Sequence, residues 1–124
     1  VGRGAQLIAK GTAGHGSQPR PDNAIVALSN AVAKIGAWEP PVRLNDTTRA
    51  YFERLATVTD DPEAKARYNG VLNPAKQAEI ARYFAQKELG HASIVRTSIS
   101  PTILQAGFRS NVIPSEAVAT LDIR

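Results

Sequence analysis

A histidine between two glycines is the residue of this chain best suited to chemistry. His15 lies in the stretch 11–23, which reads GTAGHGSQPRPDN. Glycine has no Cβ and tolerates positive φ, so Gly14 and Gly16 let the backbone turn and leave the imidazole uncrowded. A histidine held there suits hydrogen bonding to a ligand or catalysis. The stretch fits an ordinary exposed loop histidine equally well, and by itself does not decide between the two.

The rest of the chain offers few partners for a catalytic site of its own. It has no cysteine, which excludes disulfides, thiol catalysis and a cysteine-ligated zinc. It has no His-x-Asp and no Glu-Glu, and its two histidines, His15 and His91, stand in unrelated contexts. Ser17 is near His15, but no partner acid is indicated. We therefore expect no metal site and no catalysis by the isolated chain, with His91 a surface histidine in a turn.

A strand and a helix must position the His15 loop. Residues 4–12 read as a strand, and residues 24–36 as a helix that Pro21 or Asp22 opens, with Asn23 in its first turn. Its apolar residues recur at helical spacing: Ile25, Leu28, Val32 and Ile35. One face of this helix should therefore be buried.

Helices are expected in the middle of the chain and strands in its last third. Residues 46–90 read as helical, and Asp61-Pro62-Glu63 is a strong helix start. Residues 94–99 are rich in β-branched side chains and predict a strand, which Pro101 interrupts with an edge, a bend or a bulge. Residues 116–123 alternate and predict an antiparallel strand with one buried face.

Composition bounds the class of protein. With 124 residues and 43% hydrophobic residues, the sequence predicts one globular domain. The net charge is +4, but the basic residues are scattered and no aromatic pair accompanies them, so we expect no nucleic-acid partner. No apolar run reaches the roughly 20 residues of a membrane span, and we expect no membrane partner. Composition does not separate a cytoplasmic from a periplasmic location.

Two stretches together resemble the dimerisation (lid) domain of a zinc metallopeptidase family. The first contains GHGSQP, followed by Asn23. The second contains Ser100-Pro-Thr, then GFRSNVIP over residues 107–114, and a closing strand that ends in LDIR. The family, peptidase family M-twenty, includes aminoacylases, carboxypeptidase S, glutamate carboxypeptidases and succinyl-diaminopimelate desuccinylase.

The resemblance implies an α+β, ferredoxin-like fold: an antiparallel sheet with helices on one face. Family lid domains run β-α-β-β-α-β, and this chain stops after its third strand, so the last helix and strand are missing. A helical insertion, about residues 44–90, lies between the first helix and the second strand. We expect residues 1–124 to be a single lid domain from a longer two-domain hydrolase.

The resemblance also implies roles for individual residues. His15 matches the histidine that reaches from one subunit's lid into the other's active site and stabilises the oxyanion of amide hydrolysis. Asn111 matches an asparagine that holds substrate. Arg109 has no match of this kind: its place two residues before Asn111 would let it add a positive charge for the substrate carboxylate, and an ordinary surface role is the favoured alternative. Gly14, Gly16 and Gly107 shape the two loops.

The partners implied are a second copy of the chain, the catalytic domain of the parent chain, which would hold the zinc, and a peptide or N-acyl amino acid substrate. The alternative is a free-standing ferredoxin-like binding or assembly module without catalysis. Flanking sequence with His-x-Asp and Glu-Glu would separate the two.

Overall fold

A computed structural model describes residues 2–124, and the chain divides into two compact units. The sheet unit comprises the chain up to Glu39 together with Ser98–Arg124. The helical unit is Pro40–Thr97. No helix within residues 2–124 combines the length and the apolar character needed to span a membrane. The helical unit contains all of residues 44–90, the range predicted for the helical insertion, and extends beyond it at both ends.

The sheet unit contains one helix and two antiparallel sheets within the described residues. Its elements are β1 (Arg3–Lys10), β2 (Gly14–His15), α1 (Ala24–Ala37), β3 (Ile99–Ala106), β4 (Val112–Ile113) and β5 (Glu116–Ile123). The main sheet has the order β1-β5-β3, and β2 pairs with β4. The order strand, helix, helical insertion, strand, strand is confirmed, as is the α+β class. The two short strands are additional.

Helix α1 covers one face of the main sheet and contacts all three of its strands. The core between them is built from small side chains around one leucine: Ala24, Leu28, Ala117 and Ala119. In β5 the buried residues alternate with half-buried ones, which confirms the predicted one-sided strand. Small residues at the contact let the helix backbone approach the sheet closely.

Asn23 sets the start of α1. Its side-chain oxygen accepts hydrogen bonds from the backbone N–H groups of Ile25 and Val26, at 2.9 and 3.4 Å. This is the N-cap arrangement, which satisfies donors that have no partner within the helix. Asn23 is therefore the cap rather than a first-turn residue, and the helix ends one residue beyond Gly36, at Ala37.

Pro101 produces the irregularity that the sequence predicts in the second main strand. Strand β3 lies at the edge of the sheet, and its register with β5 shifts between Pro101 and Ile103. Proline has no N–H to donate to the ladder. The hydroxyl of Thr102 donates to the carbonyl of Thr120 at 3.3 Å beside this shift. The predicted interruption at Pro101, in an edge strand, is thus confirmed.

The helical unit consists of four helices around an aromatic core. They are α2 (Asp46–Val58), α3 (Pro62–Gly70), α4 (Gln77–Lys87) and α5 (Leu89–Val95). The rings of Phe52 and Phe84 are both buried and stack with centroids 5.7 Å apart. The side chain of Asp61 accepts from two backbone N–H groups at the start of α3, which confirms the predicted cap.

The strand predicted over residues 94–99 is wrong at every position except Ile99. Residues 94 and 95 belong to α5, and β3 begins only at Ile99. Val95 is fully buried in the aromatic core, and this packing overrides the β preference of its branched side chain. His91 consequently lies in a helix, and the expectation of a surface histidine in a turn is also wrong.

Candidate functional site

The short ladder between β2 and β4 brings the two motif stretches together. Gly14 pairs with Ile113, and His15 pairs with Val112. The backbone N–H of Gly16 donates to the carbonyl of Asn111 at 2.7 Å. His15 and Asn111, which are 96 positions apart in the sequence, therefore occupy neighbouring positions across two paired backbones.

Two glycines allow this arrangement for different reasons. A Cβ on Gly16 would lie 3.3 Å from the carbonyl carbon and oxygen of Asn111, which is tighter than ordinary contact. Gly107 has a φ of +67°, the left-handed region that other residues rarely adopt. A Cβ on Gly14 would meet only the Arg20 side chain, at 3.5 Å, so that position has room for a methyl group.

The hydrogen bonds of His15 fix which ring nitrogen carries its proton. The backbone N–H of Ser17 donates to Nδ1 at 3.2 Å, and the Ser17 hydroxyl lies 2.8 Å from the same atom. A backbone N–H can only donate, so Nδ1 is the acceptor, and the neutral ring carries its proton on Nε2. Nε2 has no hydrogen-bond partner among residues 2–124. An exposed histidine is thereby set up as an N–H donor.

A second contact, between Thr12 and Asp22, joins the two ends of the His15 loop; we call this place the neck of the loop. The carboxylate of Asp22 accepts from both the hydroxyl and the backbone N–H of Thr12, at 2.6 and 2.9 Å. The hydrogen bond from the Thr12 hydroxyl is the main reason that the pKa of Asp22 lies below its usual value. A Cβ on Gly11 would lie 1.9 Å from the Asp22 carbonyl oxygen, so only glycine fits there without a shift.

Asn111 and Arg109 lie on the turn that precedes β4. Both are exposed, and the carbonyl of Arg109 accepts from the Val112 N–H at 3.3 Å. The Arg109 guanidinium lies 5.8 Å from the ring centroid of Phe108, which is 80% exposed. This turn borders an open cleft of about 410 Å³ whose other wall includes Ile25 of α1.

Ser17, Thr12 and Asp22 are the residues of this site that the sequence alone does not identify. Ser17 follows His15 by two residues, a spacing at which the His15 side chain can accept from the Ser17 backbone N–H. That spacing is the sequence signal for this contact. Thr12 and Asp22 are ten positions apart, and their contact follows from the loop path. No group of three His, Cys, Asp or Glu side chains in residues 2–124 could hold a metal ion.

Comparison with known proteins shows the family of the chain. The family model described as "Peptidase dimerisation domain" matches residues 3–124. The probable carboxypeptidase S-like 2 of Dictyostelium discoideum is 34% identical over 113 residues, which is 90% of this chain and 20% of that protein. The N-fatty-acyl-amino acid synthase/hydrolase PM20D1 of Xenopus tropicalis is 32% identical over 112 residues, again 90% of this chain and 21% of that protein.

The human N-fatty-acyl-amino acid synthase/hydrolase PM20D1 is 31% identical over 116 residues, or 91% of this chain and 22% of that protein. The chain therefore spans about a fifth of the length of these curated relatives. The match to the family model, in contrast, extends over almost all of the chain and includes both motif stretches. This chain belongs to the peptidase dimerisation domain family.

Proposed function

We propose that this chain is the lid and dimerisation part of a zinc-dependent peptidase or amidohydrolase. The relatives are named for a carboxypeptidase and for N-fatty-acyl-amino acid hydrolysis. A C-terminal peptide bond and an N-acyl amino acid share one chemical unit, an amide whose amine side carries a free α-carboxylate. The proposed substrate is therefore a peptide or N-acyl amino acid with a carbonyl to polarise and a carboxylate to bind.

His15 would act on the carbonyl. The observation that carries this proposal is the hydrogen bond from the Ser17 N–H to Nδ1, which leaves the proton on Nε2. Amide hydrolysis develops negative charge on the carbonyl oxygen, and a fixed N–H donor aimed at that oxygen lowers the barrier. His15 would donate this hydrogen bond, and the ladder between β2 and β4 would hold it in place.

Asn111 and Arg109 would bind the substrate carboxylate. The Asn111 amide supplies N–H donors, and the exposed Arg109 guanidinium supplies a positive charge with several more. Asn111 is attached to the same short ladder as His15 through the Gly16 hydrogen bond. A ligand that carries both groups would thus be bound at two points, the carbonyl by His15 and the carboxylate by Asn111 and Arg109.

The zinc would be held elsewhere in the parent protein. The described residues contain no ligand set for it, so they do not fit a metal centre of their own. The zinc would polarise the carbonyl and activate water in the catalytic domain. The contribution of this chain is the hydrogen-bond donor and the carboxylate contacts, and we propose that the isolated chain hydrolyses nothing.

We propose that His15 acts in trans, on the active site of the partner subunit in a homodimer. Both outer strands of the main sheet, β1 and β3, have one unpaired edge. On β3, Ile103 and Leu104 are 51% and 62% exposed. An unpaired edge with exposed apolar side chains is suited to pairing with a second copy. Such a dimer would also place the lid of each subunit beside the other subunit.

Complementation between two inactive variants of the full-length protein tests this proposal. One variant is His15→Ala, and the other lacks a zinc ligand in the catalytic domain. We expect His15→Ala alone to lose about 10²–10³ in rate, the usual cost of one oxyanion donor. In a mixed dimer, the His15→Ala subunit keeps its zinc and borrows His15 from its partner, so one working site per heterodimer should appear.

Two further variants separate donation from loop structure. His15→Gln retains an N–H donor and should keep more activity than His15→Ala, while Gln18→Ala, in the same loop, should stay near the unmodified rate. If heterodimers form but activity does not return, His15 does not act in trans. If His15→Ala leaves the rate of the homodimer unchanged, the oxyanion role itself is wrong.

A further inference from the structure

A second set of polar side chains, separate from the His15 loop, lies within the helical unit. It joins Tyr51 of α2, Glu88 at the start of α5, and His91 of α5. The Tyr51 hydroxyl lies 3.0 Å from His91 Nε2, and His91 Nδ1 lies 2.5 Å from a carboxylate oxygen of Glu88. The three groups therefore form one continuous chain of hydrogen bonds.

The direction of these hydrogen bonds follows from Glu88. The other carboxylate oxygen of Glu88 forms an ion pair with the Arg67 guanidinium at 3.1 Å, so Glu88 enters these contacts as an acceptor-only carboxylate. His91 Nδ1 must then carry the proton, and in the neutral ring Nε2 is an acceptor. The Tyr51 hydroxyl donates to it. This order, hydroxyl to imidazole to carboxylate, is the order that activates a hydroxyl nucleophile.

Aromatic packing holds the imidazole in this orientation. The rings of Tyr51, Phe52, Tyr68 and Phe84 all have centroids between 5.2 and 5.8 Å from that of His91. Phe52 and Phe84 are fully buried, so the enclosure is part of the core of this unit. These rings therefore hold the His91 imidazole in one orientation, which proton transfer to it requires. We call the hydrogen-bonded chain of Tyr51, His91 and Glu88 the relay.

The Tyr51 end of the relay is accessible. Tyr51 is 42% exposed and borders an open cleft of about 680 Å³, whose other walls include Tyr68, Gly90 and Ile94. A Cβ built on Gly90 would meet no atom within 4 Å, so this wall is open. The Tyr51 side chain is therefore accessible to a small electrophile from this cleft, while its hydroxyl proton faces His91.

We propose that Tyr51 is a nucleophilic acyl-acceptor site, with His91 as its general base and Glu88 as the group that orients the base. The electrophile is an activated ester. The Tyr51 oxygen attacks the acyl carbonyl as its proton moves to His91 Nε2. The tetrahedral intermediate collapses, the bond to the leaving oxygen breaks, and that oxygen takes the proton from His91. The product is an aryl ester on Tyr51.

The other two tyrosines provide internal comparisons. Tyr83 is 38% exposed, close to the value for Tyr51, but its ring faces the Arg67 guanidinium at 4.5 Å rather than a base. Tyr68 donates to Glu88 at 3.5 Å, and its burial, together with the nearby Glu88 charge, raises the pKa of its hydroxyl. Exposure alone would make Tyr51 and Tyr83 react equally, whereas the relay favours Tyr51.

Acetylation of the chain by p-nitrophenyl acetate, followed by peptide mapping over time, tests the proposal. General-base assistance contributes about 10²–10⁴-fold to such steps. Because no oxyanion donor is identified here, we expect Tyr51 to be acetylated about tenfold faster than Tyr83, or more. Equal rates at the two tyrosines in the unmodified chain would overturn the proposal without recourse to any variant.

Substitutions then identify the base. His91→Gln can still accept a hydrogen bond from Tyr51 but is not basic, so the ratio of the Tyr51 rate to the Tyr83 rate should fall to about one. Glu88→Gln should lower the ratio less, because it keeps an acceptor for Nδ1. Tyr51→Phe should remove the fast-reacting site. A ratio that survives His91→Gln in a chain with an unchanged circular dichroism spectrum would contradict the assignment of His91.

Discussion

The two histidines of this chain have opposite proton arrangements. In the sheet unit, Nδ1 of His15 accepts from the Ser17 N–H, so the outward Nε2 is a donor. In the helical unit, Nδ1 of His91 donates to the Glu88 carboxylate, so Nε2 is an acceptor. His15 thus has the N–H donor that its proposed oxyanion role requires, and His91 has the acceptor that its proposed general-base role requires.

The difference comes from one partner of Nδ1 in each case whose hydrogen-bonding role is fixed. A backbone N–H can only donate and an ionised carboxylate can only accept, so each partner leaves the ring no choice of tautomer. The surroundings differ in the same way. His15 is held by a loop and a two-residue ladder, whereas His91 is enclosed by four aromatic rings. The same residue type thus acquires different chemistry from its immediate neighbours.

The largest effect that would break this comparison is removal of the aromatic enclosure. Phe84→Ala should lower the free energy of unfolding of the helical unit by about 3–5 kcal/mol, since it deletes a fully buried ring that stacks on Phe52. It also removes a ring 5.2 Å from His91, so the His91 imidazole resonances should shift. Hydrogen exchange of amides in the helical unit measures the stability.

Leu28→Ala is the matched variant in the sheet unit. Leu28 is the largest member of a core otherwise built of alanines, and its truncation should cost about 2–5 kcal/mol in that unit. A cost below about 1 kcal/mol for Phe84→Ala would mean that the aromatic stack does not support the helical unit, and the rigidity argued for His91 would be lost.

A smaller loss of stability is expected from filling the space beside Gly11, at the neck of the His15 loop. Gly11→Ala places a Cβ 1.9 Å from the Asp22 carbonyl oxygen, and the backbone of the loop neck must move. Overpacking of this kind costs about 1–3 kcal/mol. The amide resonances of Gly16 and Asn111 should shift, because the contact that joins the two motif stretches depends on the path of the loop.

Gly36→Ala is the matched control for that prediction. A Cβ on Gly36 meets nothing within 4 Å, and the residue lies in α1, so alanine should stabilise the helix by roughly 0.5–1 kcal/mol. If Gly11→Ala is as harmless as Gly36→Ala, the neck of the loop is not a steric constraint on His15.

Patterns within single elements made much of the fold predictable. The alternation of residues 116–123, the cap at Asp61 and the interruption at Pro101 each depend on local chemistry, and each is found in the structure. The failure at residues 94 and 95 has a non-local cause. Their β-branched side chains favour a strand, but burial of Val95 against Phe52 and Phe84 makes the helix the better choice.

The candidate site was predictable only in part, for a similar reason. His15, Arg109 and Asn111 are recognisable from their motifs, and their roles remain predictions. The tautomer of His15 depends on Ser17, which the loop conformation supplies. The relay through Tyr51 and His91 joins residues 40 positions apart, and no local sequence pattern predicts it. Contacts between elements depend on the fold, so patterns of adjacent residues do not reveal them.

The smallest effect, and the most specific to the His15 side of the comparison, concerns the pH dependence of Asp22. Hydrogen bonds from Thr12 lower the pKa of Asp22 in the folded chain below its usual value. A depressed folded pKa stabilises the loop neck above the unfolded pKa of about 3.9, and this stabilisation is lost as the pH falls through the folded value.

Thr12→Val tests this linkage because it removes the hydroxyl that is the largest cause of the shift, while the backbone N–H of residue 12 can still donate. A carboxyl-carbon NMR titration should show the pKa of Asp22 rising toward its usual value in this variant. Thr102→Val, whose hydroxyl bonds Thr120 instead, should leave it unchanged. Since the Asp22 side chain is exposed to solvent, the accompanying change in stability should be small. Identical titrations of Asp22 in the unmodified chain and in Thr12→Val would show that the Thr12 hydroxyl does not lower the pKa of Asp22, and the backbone N–H of residue 12 would then be the contact that joins the two residues.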